Sequence, residues 1–199
     1  MSKVIPVMAA VVALALASWS ITAPALADGS ISRLMSQEDT RLLEEFDARR
    51  ARAVAAAASQ SDEVAVATLM HVLSGQTLPF DQGYDPSGDW RCRFLTLAED
   101  SALLVRGWFS CRIYDDGAGW VLQKEKGSQR RMGRLYRLTA ERLLYLGALQ
   151  EAHETPIWFG DDPPRNEMAV LSRLDDGRLR LEFPAPLAGS AFDILELVH

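Results

Sequence analysis

The sequence predicts an α+β, mainly β fold: an N-terminal helical hairpin followed by an eight-stranded antiparallel meander that closes into a β-barrel, with a β-sandwich as second choice. Three observations carry this. Apolar residues recur at helical spacing between residues 37 and 73, the texture changes at Gly88 to short β-branched, aromatic and leucine runs, and those runs are separated by Gly/Asp/Pro turn clusters. Connections that short force antiparallel neighbours. A meander of about eight strands must close, or fold into two layers, to protect its edges.

Ser36 with Asp39 three residues on has the pattern of a helix N-cap, and Leu43, Phe46, Val54 and Ala57 follow on one stripe, so a helix is expected from about Gln37 to Ala58. The polar break Ser59 to Asp62 starts a second helix with Val66, Leu69, Met70 and Leu73 on its apolar side. Gly75 sits where a left-handed C-cap is wanted. Residues 28–75 are therefore read as the hairpin. Residues 76–87, with Pro79, Gly83 and Pro86, are read as a linker into the barrel domain at 88–199, which forms one folded unit with the helices.

Strands are expected near Trp90–Leu97, Leu103–Tyr114, Trp120–Glu125, Met132–Leu138, Leu143–Leu149, Met168–Leu174, Leu179–Phe183 and Phe192–Val198. The seventh alternates cleanly, Leu179, Leu181 and Phe183 against Arg178, Arg180 and Glu182, which predicts one buried and one wet face. Gln150 to Asn166 is the one long connection, long enough for a lid or binding loop.

Residues 1–27 have the grammar of a cleavable export signal. Lys3 precedes an apolar run from Val4 to Ala17, and Ala25 and Ala27 supply the small residues a signal peptidase needs before a cut that exposes Asp28. A retained anchor is the alternative, but Ser18, Ser20, Thr22 and Pro24 interrupt the run. The expected product is periplasmic or secreted, with no stable membrane insertion after cleavage. An oxidising compartment lets Cys92 and Cys111 form a disulfide, the alternative being two buried thiols. Both cysteines fall on the core-facing side of their strands, about two residues out of direct register, so a bulge is needed to bring them within reach.

The 199-residue chain carries a formal net charge of −6, which argues against nucleic acid as a partner. Within that acidic chain one basic patch stands out: Arg91, Arg93, Arg106 and Arg112, with Trp108 and Tyr114 between them, share the solvent side of the first hairpin. Guanidinium forks beside aromatic rings suit an anionic ligand or a carboxylate cluster on a protein. The bland reading is a solvated strand face paired with the chain's own acids.

Catalytic signatures are sparse. The three histidines, His71, His153 and His199, are scattered, and no His-x-x-x-His or Cys-x-x-Cys spacing offers a metal site. No catalytic residue, metal ligand or cofactor is assigned. Glu151, Glu154, Asp161 and Asp162 gather around His153 in the long loop, so His153, Glu154, Asp161 and Asp162 form a second candidate site, for acid/base chemistry or calcium, against a default of a solvated acidic loop.

Gly88-Asp89-Trp90-Arg91-Cys92-Arg93, Gly107-Trp108-Phe109-Ser110-Cys111-Arg112-Ile113, Gly127-Ser128-Gln129-Arg130, Gly133-Arg134-Leu135-Tyr136 and Tyr145-Leu146-Gly147-Ala148 form a set of motifs continued by Pro163 to Arg165, Leu181-Glu182-Phe183-Pro184 and Leu195-Glu196-Leu197. With them the chain resembles domain-of-unknown-function family 4893, short exported bacterial proteins without assigned activity. The resemblance implies a periplasmic setting and no chemistry. The Gly-x-Trp strand near a cysteine is also similar to small lipocalin-like barrels and the periplasmic metalloprotease inhibitors built on them, a fold-level analogy. The expectation is a binding module for an envelope protein or a small ligand, using the arginine-aromatic face or the barrel mouth. The alternatives are a periplasmic protease inhibitor and a hydrolase using the 150–166 loop.

Overall fold

The computed structural model describes residues 31–81, 83–187 and 189–199; the expected export signal and its expected cleavage point lie outside them. Three helices, α1 (Gln37–Glu44), α2 (Phe46–Gln60) and α3 (Glu63–Leu73), precede ten strands. These are β1 (Thr77–Leu78), β2 (Gly88–Leu97), β3 (Leu104–Val105), β4 (Phe109–Asp115), β5 (Trp120–Lys124), β6 (Gln129–Arg137), β7 (Arg142–Glu151), β8 (Asn166–Leu174), β9 (Leu179–Phe183) and β10 (Phe192–Val198). Eight of them form a closed antiparallel barrel in the order β8-β7-β6-β5-β4-β2-β10-β9, sealed by pairing of β9 with β8. The short β1 and β3 are appended to β8 and β2.

Ser36 caps α1 through a reciprocal box: its hydroxyl accepts from the Asp39 N–H at 3.0 Å while the Asp39 carboxylate accepts from the Ser36 N–H at 2.8 Å. The single helix expected from Gln37 is broken at Glu45. The break lets successive apolar residues enter two different layers. Leu42 packs with Leu144, Leu146 and Met168 on one side of the barrel, whereas Phe46, Ala53 and Ala57 pack with Leu95, Phe192 and Ile194 on another. Asp62 caps α3, and Gly75 just beyond it has φ +100, the left-handed conformation its position asks for.

Residues 76–87 are more than a linker. Thr77 and Leu78 pair with Leu174 and Arg173, and the Phe80 ring is buried in the barrel core. The expected strand Leu103–Tyr114 is also two. Leu95 and Thr96 pair with Val105 and Leu104, but Cys92 pairs with Phe109, so Arg106, Gly107 and Trp108 stand opposite only Arg93 and Phe94. This one-residue bulge switches the inward phase from even to odd numbers. Cys92 and Cys111 then share the inner face as diagonal neighbours, with Cα atoms 5.9 Å apart and a disulfide between them.

The barrel interior is filled with side chains. Leu143, Leu171, Leu181, Leu195 and Phe94 occupy paired, inward positions around the wall. Tyr145 lies across the facing pair Gly133 and Gly147, where an added Cβ would come within 2.5 Å of the ring or of backbone. Both glycines are there to admit that ring. At one end Trp90 stacks on His199 with ring centroids 3.8 Å apart and donates through its indole N–H to the Pro86 carbonyl, which closes the barrel.

The face expected to be wet on β9 is covered instead. Arg178, Arg180, Glu182 and Glu196 are all buried, because the helices lie over β2, β10 and β9. Their charges are matched. Arg178 donates to the His71 and Ser74 carbonyls at 3.0 and 3.3 Å, and Arg180 to those of Val72 and Leu73 at 3.2 and 2.9 Å, so two guanidiniums sit on the negative end of α3. Glu196 pairs with Arg93 and Arg178, and Glu182 with Arg50 and Arg180.

Candidate functional site

The end of the barrel opposite the Trp90–His199 plug is open and polar. Its residues are in phase with the hydrophobic interior. Lys124 follows Trp120 and Leu122 on β5, Arg131 precedes Gly133 and Leu135 on β6, Glu167 precedes Ala169 and Leu171 on β8, and Asp193 precedes Leu195 and Leu197 on β10. All four are at most 4% exposed. Lys124, Arg131 and Asp193 border a cavity of about 380 Å³ whose walls also include Phe94, Thr96, Phe109 and the Gly127–Gln129 turn, with Arg106 at its edge, and Glu167 stands behind this wall, held by Arg131.

Each charge has a distinct anchor. Arg131 forms a two-point pair with Glu167, at 2.7 and 3.2 Å, while its guanidinium lies 4.5 Å from the Phe94 ring centroid and 5.4 Å from that of Phe183. The Lys124 ammonium donates to the Lys126 and Gln129 carbonyls, both at 2.6 Å, and sits 4.5 Å from the Phe109 ring centroid. Burial, reinforced by repulsion from Arg131 and Arg130, lowers its pKa to about 8. Asp193 accepts from the Ser190 hydroxyl at 2.8 Å, but burial outweighs that bond and raises its pKa. Deeper, the wholly buried Tyr145 hydroxyl has no hydrogen-bond partner among the described residues and lies within the fields of Glu167 and Arg131.

The sequence-predicted arginine face is partly assembled. Trp108, 38% exposed, is flanked by two guanidiniums, with Arg91 4.9 Å and Arg93 4.5 Å from its ring centroid. Arg112 lies 5.9 Å from the Tyr114 ring centroid and 3.9 Å from the Asp89 carboxylate. Arg93 is committed to Glu196 at 2.6 Å. Arg106 leaves this face altogether, since it precedes the bulge and borders the mouth.

The loop candidates are dispersed among local contacts. Glu154 pairs with Arg165, Asp162 lies 3.2 Å from the same guanidinium, and Asp161 accepts from the Trp158 N–H at 2.8 Å. His153 is exposed with φ +99, and His71 lies beside Arg93 in a shallow depression along α3. Trp158 stands 5.3 Å from Arg134 on the outside of β6, and Phe159 packs with the apolar residues outside β7, so this part of the loop lies along the wall and does not cover the mouth. Among the described residues, no group of three or more His, Cys, Asp or Glu is arranged to hold a metal ion.

The fold and site define a disulfide-linked, eight-stranded antiparallel barrel, helix-covered on one flank, with one end plugged and a charged cavity at the other. The chain matches the family model described as Domain of unknown function (DUF4893) over residues 32–197 and belongs to that family. No curated protein and no solved structure matches it.

Proposed function

We propose that the protein is an exported binding module that takes a small anionic ligand in the mouth of its barrel. The observation that carries this is the inward phase of Lys124, Arg131 and Asp193, with Glu167 paired to Arg131 behind them, around an open cavity in a barrel otherwise packed with apolar side chains. Burying ionisable groups costs stability, so the convergence of Lys124, Arg131 and Asp193 on one cavity argues for a binding role. The sign favours an anion. Arg106, Lys124 and Arg131 supply three cationic groups, Glu167 is engaged by Arg131, and burial works against the charged form of Asp193. Phe94 and Phe109 offer an apolar wall for a short hydrocarbon portion.

The test is native mass spectrometry of the protein purified gently after export, followed by calorimetric titration with small carboxylates and phosphates. Arg106→Glu is expected to weaken binding of the anion recovered by about tenfold, the effect of removing one attractive charge and adding a repulsive one. A bare mass together with no heat from any small anion would refute the reading.

A second reading is favoured by Trp108, whose exposed ring is held between Arg91 and Arg93. An aromatic anchor among guanidiniums suits an acidic segment of an envelope protein. Charge reversal of Arg91 and Arg112 is expected to abolish capture of that partner with the melting temperature unchanged. Undiminished capture by the folded variant would remove this face from consideration.

A further inference from the structure

We propose that Lys124 is a reactive amine that captures small aldehydes or keto acids bearing a carboxylate, as an imine, within the barrel mouth. The proposal rests on the mouth being the ligand site and names the class of ligand.

Lysine is rare in this chain. Of 21 basic residues only Lys3, Lys124 and Lys126 are lysine, and the remainder are arginine. The one inside the barrel occupies a position where the two residue types differ chemically, because a neutral amine carries a lone pair and a guanidinium stays protonated. Lys124 Nζ lies 2.6 Å from each of two backbone carbonyls, those of Lys126 and Gln129. An uncharged primary amine has two hydrogens and one lone pair. The two carbonyls take both hydrogens, which leaves the lone pair as the group free to meet a ligand.

Burial and the neighbouring Arg131 and Arg130 favour the neutral form of Lys124 over the contacts that hold its ammonium, and the same guanidiniums suit an anionic ligand. The charged groups around Lys124 are Arg130 and Arg131 of β6, with Arg106 at the bulge and Asp193 of β10 lining the same cavity and Glu167 of β8 paired to Arg131. Glu167 is held by Arg131, and Asp193 is the acid whose burial favours its protonated state. With the Lys124 pKa lowered to about 8, roughly a tenth of the amine is neutral at pH 7. A carboxylate on the ligand is attracted to Arg106 at the cavity edge while its carbonyl carbon meets Nζ.

The capture step balances without a redox partner. The Nζ lone pair attacks the carbonyl carbon, forming the C–N bond, and the C=O π pair moves to oxygen, which takes up one of the two amine protons to give a neutral carbinolamine. The carbinolamine then loses a nitrogen proton and its hydroxyl together as water, leaving C=N. Amine and carbonyl give imine and water.

The experiment is cyanoborohydride trapping of the folded protein with glyoxylate and with pyruvate, read by intact mass and peptide mapping between pH 6 and 10. The expected result is one adduct, at Lys124 in at least tenfold excess over Lys126, with labelling rising through a midpoint near pH 8. Labelling that favours Lys126 or the chain's terminal amine, or no adduct, would overturn the proposal. The Lys124 to Lys126 ratio is measured on the unaltered protein, so the test does not depend on whether Lys124→Met folds. Propionate and oxalate, which cannot form imines, are titrated in parallel by thermal shift. If they stabilise the protein while no Lys124 adduct forms, imine capture fails and anion binding stands; if they do not and no adduct forms, both readings fail.

Discussion

At the scale of single residues, burial in the mouth works against the charged forms of Lys124 and Asp193. Asp193 shows the sign most clearly. Its folded pKa is raised, chiefly by burial, so the folded state holds its proton in a pH range where the unfolded chain has released it. Its contribution to stability is therefore greatest below pH 3.8 and is lost as pH rises through the folded value. Asp193→Asn keeps an oxygen to accept from the Ser190 hydroxyl and has no charge to bury. At pH 7 we expect it to raise the melting temperature, with the gain vanishing near pH 3. Melting curves of both proteins from pH 3 to 8 check this, and parallel curves would show that Asp193 is not the group responsible. Tyr145 illustrates the converse, a residue whose position shapes its neighbours: Gly133 and Gly147 are paired beneath its ring.

At the scale of elements, β9 carries the charge network that docks the helices. Arg180 reaches the last carbonyls of α3 and also holds Glu182 at 3.0 Å, so Arg180→Met removes a helix-end contact and half of a buried pairing in one change. We expect a loss of about 3 kcal/mol in urea denaturation. The double variant Arg180→Met/Glu182→Leu should lose less than the single one, because the buried carboxylate goes too and Arg50, partly exposed, can turn to solvent. Equal losses would mean that the contacts to α3 alone matter. This network also marks where sequence reading reached its limit. Alternation in Leu179–Phe183 correctly separates two faces, but periodicity reports polarity and cannot report what lies over a polar face. The mouth was hidden for a related reason. Lys124, Arg131, Glu167 and Asp193 each sit at the end of a strand, where charged residues are ordinarily solvated, and only their shared inward phase distinguishes them. The arginine face was legible as Arg91, Arg93, Trp108 and Arg112. Arg106 was misplaced because the bulge that redirects it was inferred only from the cysteines, with no position assigned.

Across the whole molecule, helices, strand order and closure followed from patterns visible in the chain, since short turns permit little besides an antiparallel meander. The break at Glu45 and the role of Phe80 did not, because both are answers to tertiary packing. The disulfide belongs to this scale as well, joining β2 and β4 across 19 residues. Replacing both cysteines by alanine should cost about 3 kcal/mol by the loop-closure argument. Chemical denaturation of the oxidised protein against the double variant measures it, and a difference below 1 kcal/mol would show that the closed loop matters little to the unfolded chain.

The bulge at Arg106–Trp108 has a further effect during folding. Were β4 to pair with β2 without the extra residue, Cys111 and Ile113 would turn outward and Arg112 would turn into the barrel. Cys111 would then stand on the opposite side of the hairpin from Cys92, where no bond between them can form. Oxidation thus acts as a proofreading step on strand register. A chain misaligned by one residue keeps reduced thiols and remains free to re-pair, whereas the correctly offset hairpin is made permanent by the bond that its geometry alone allows.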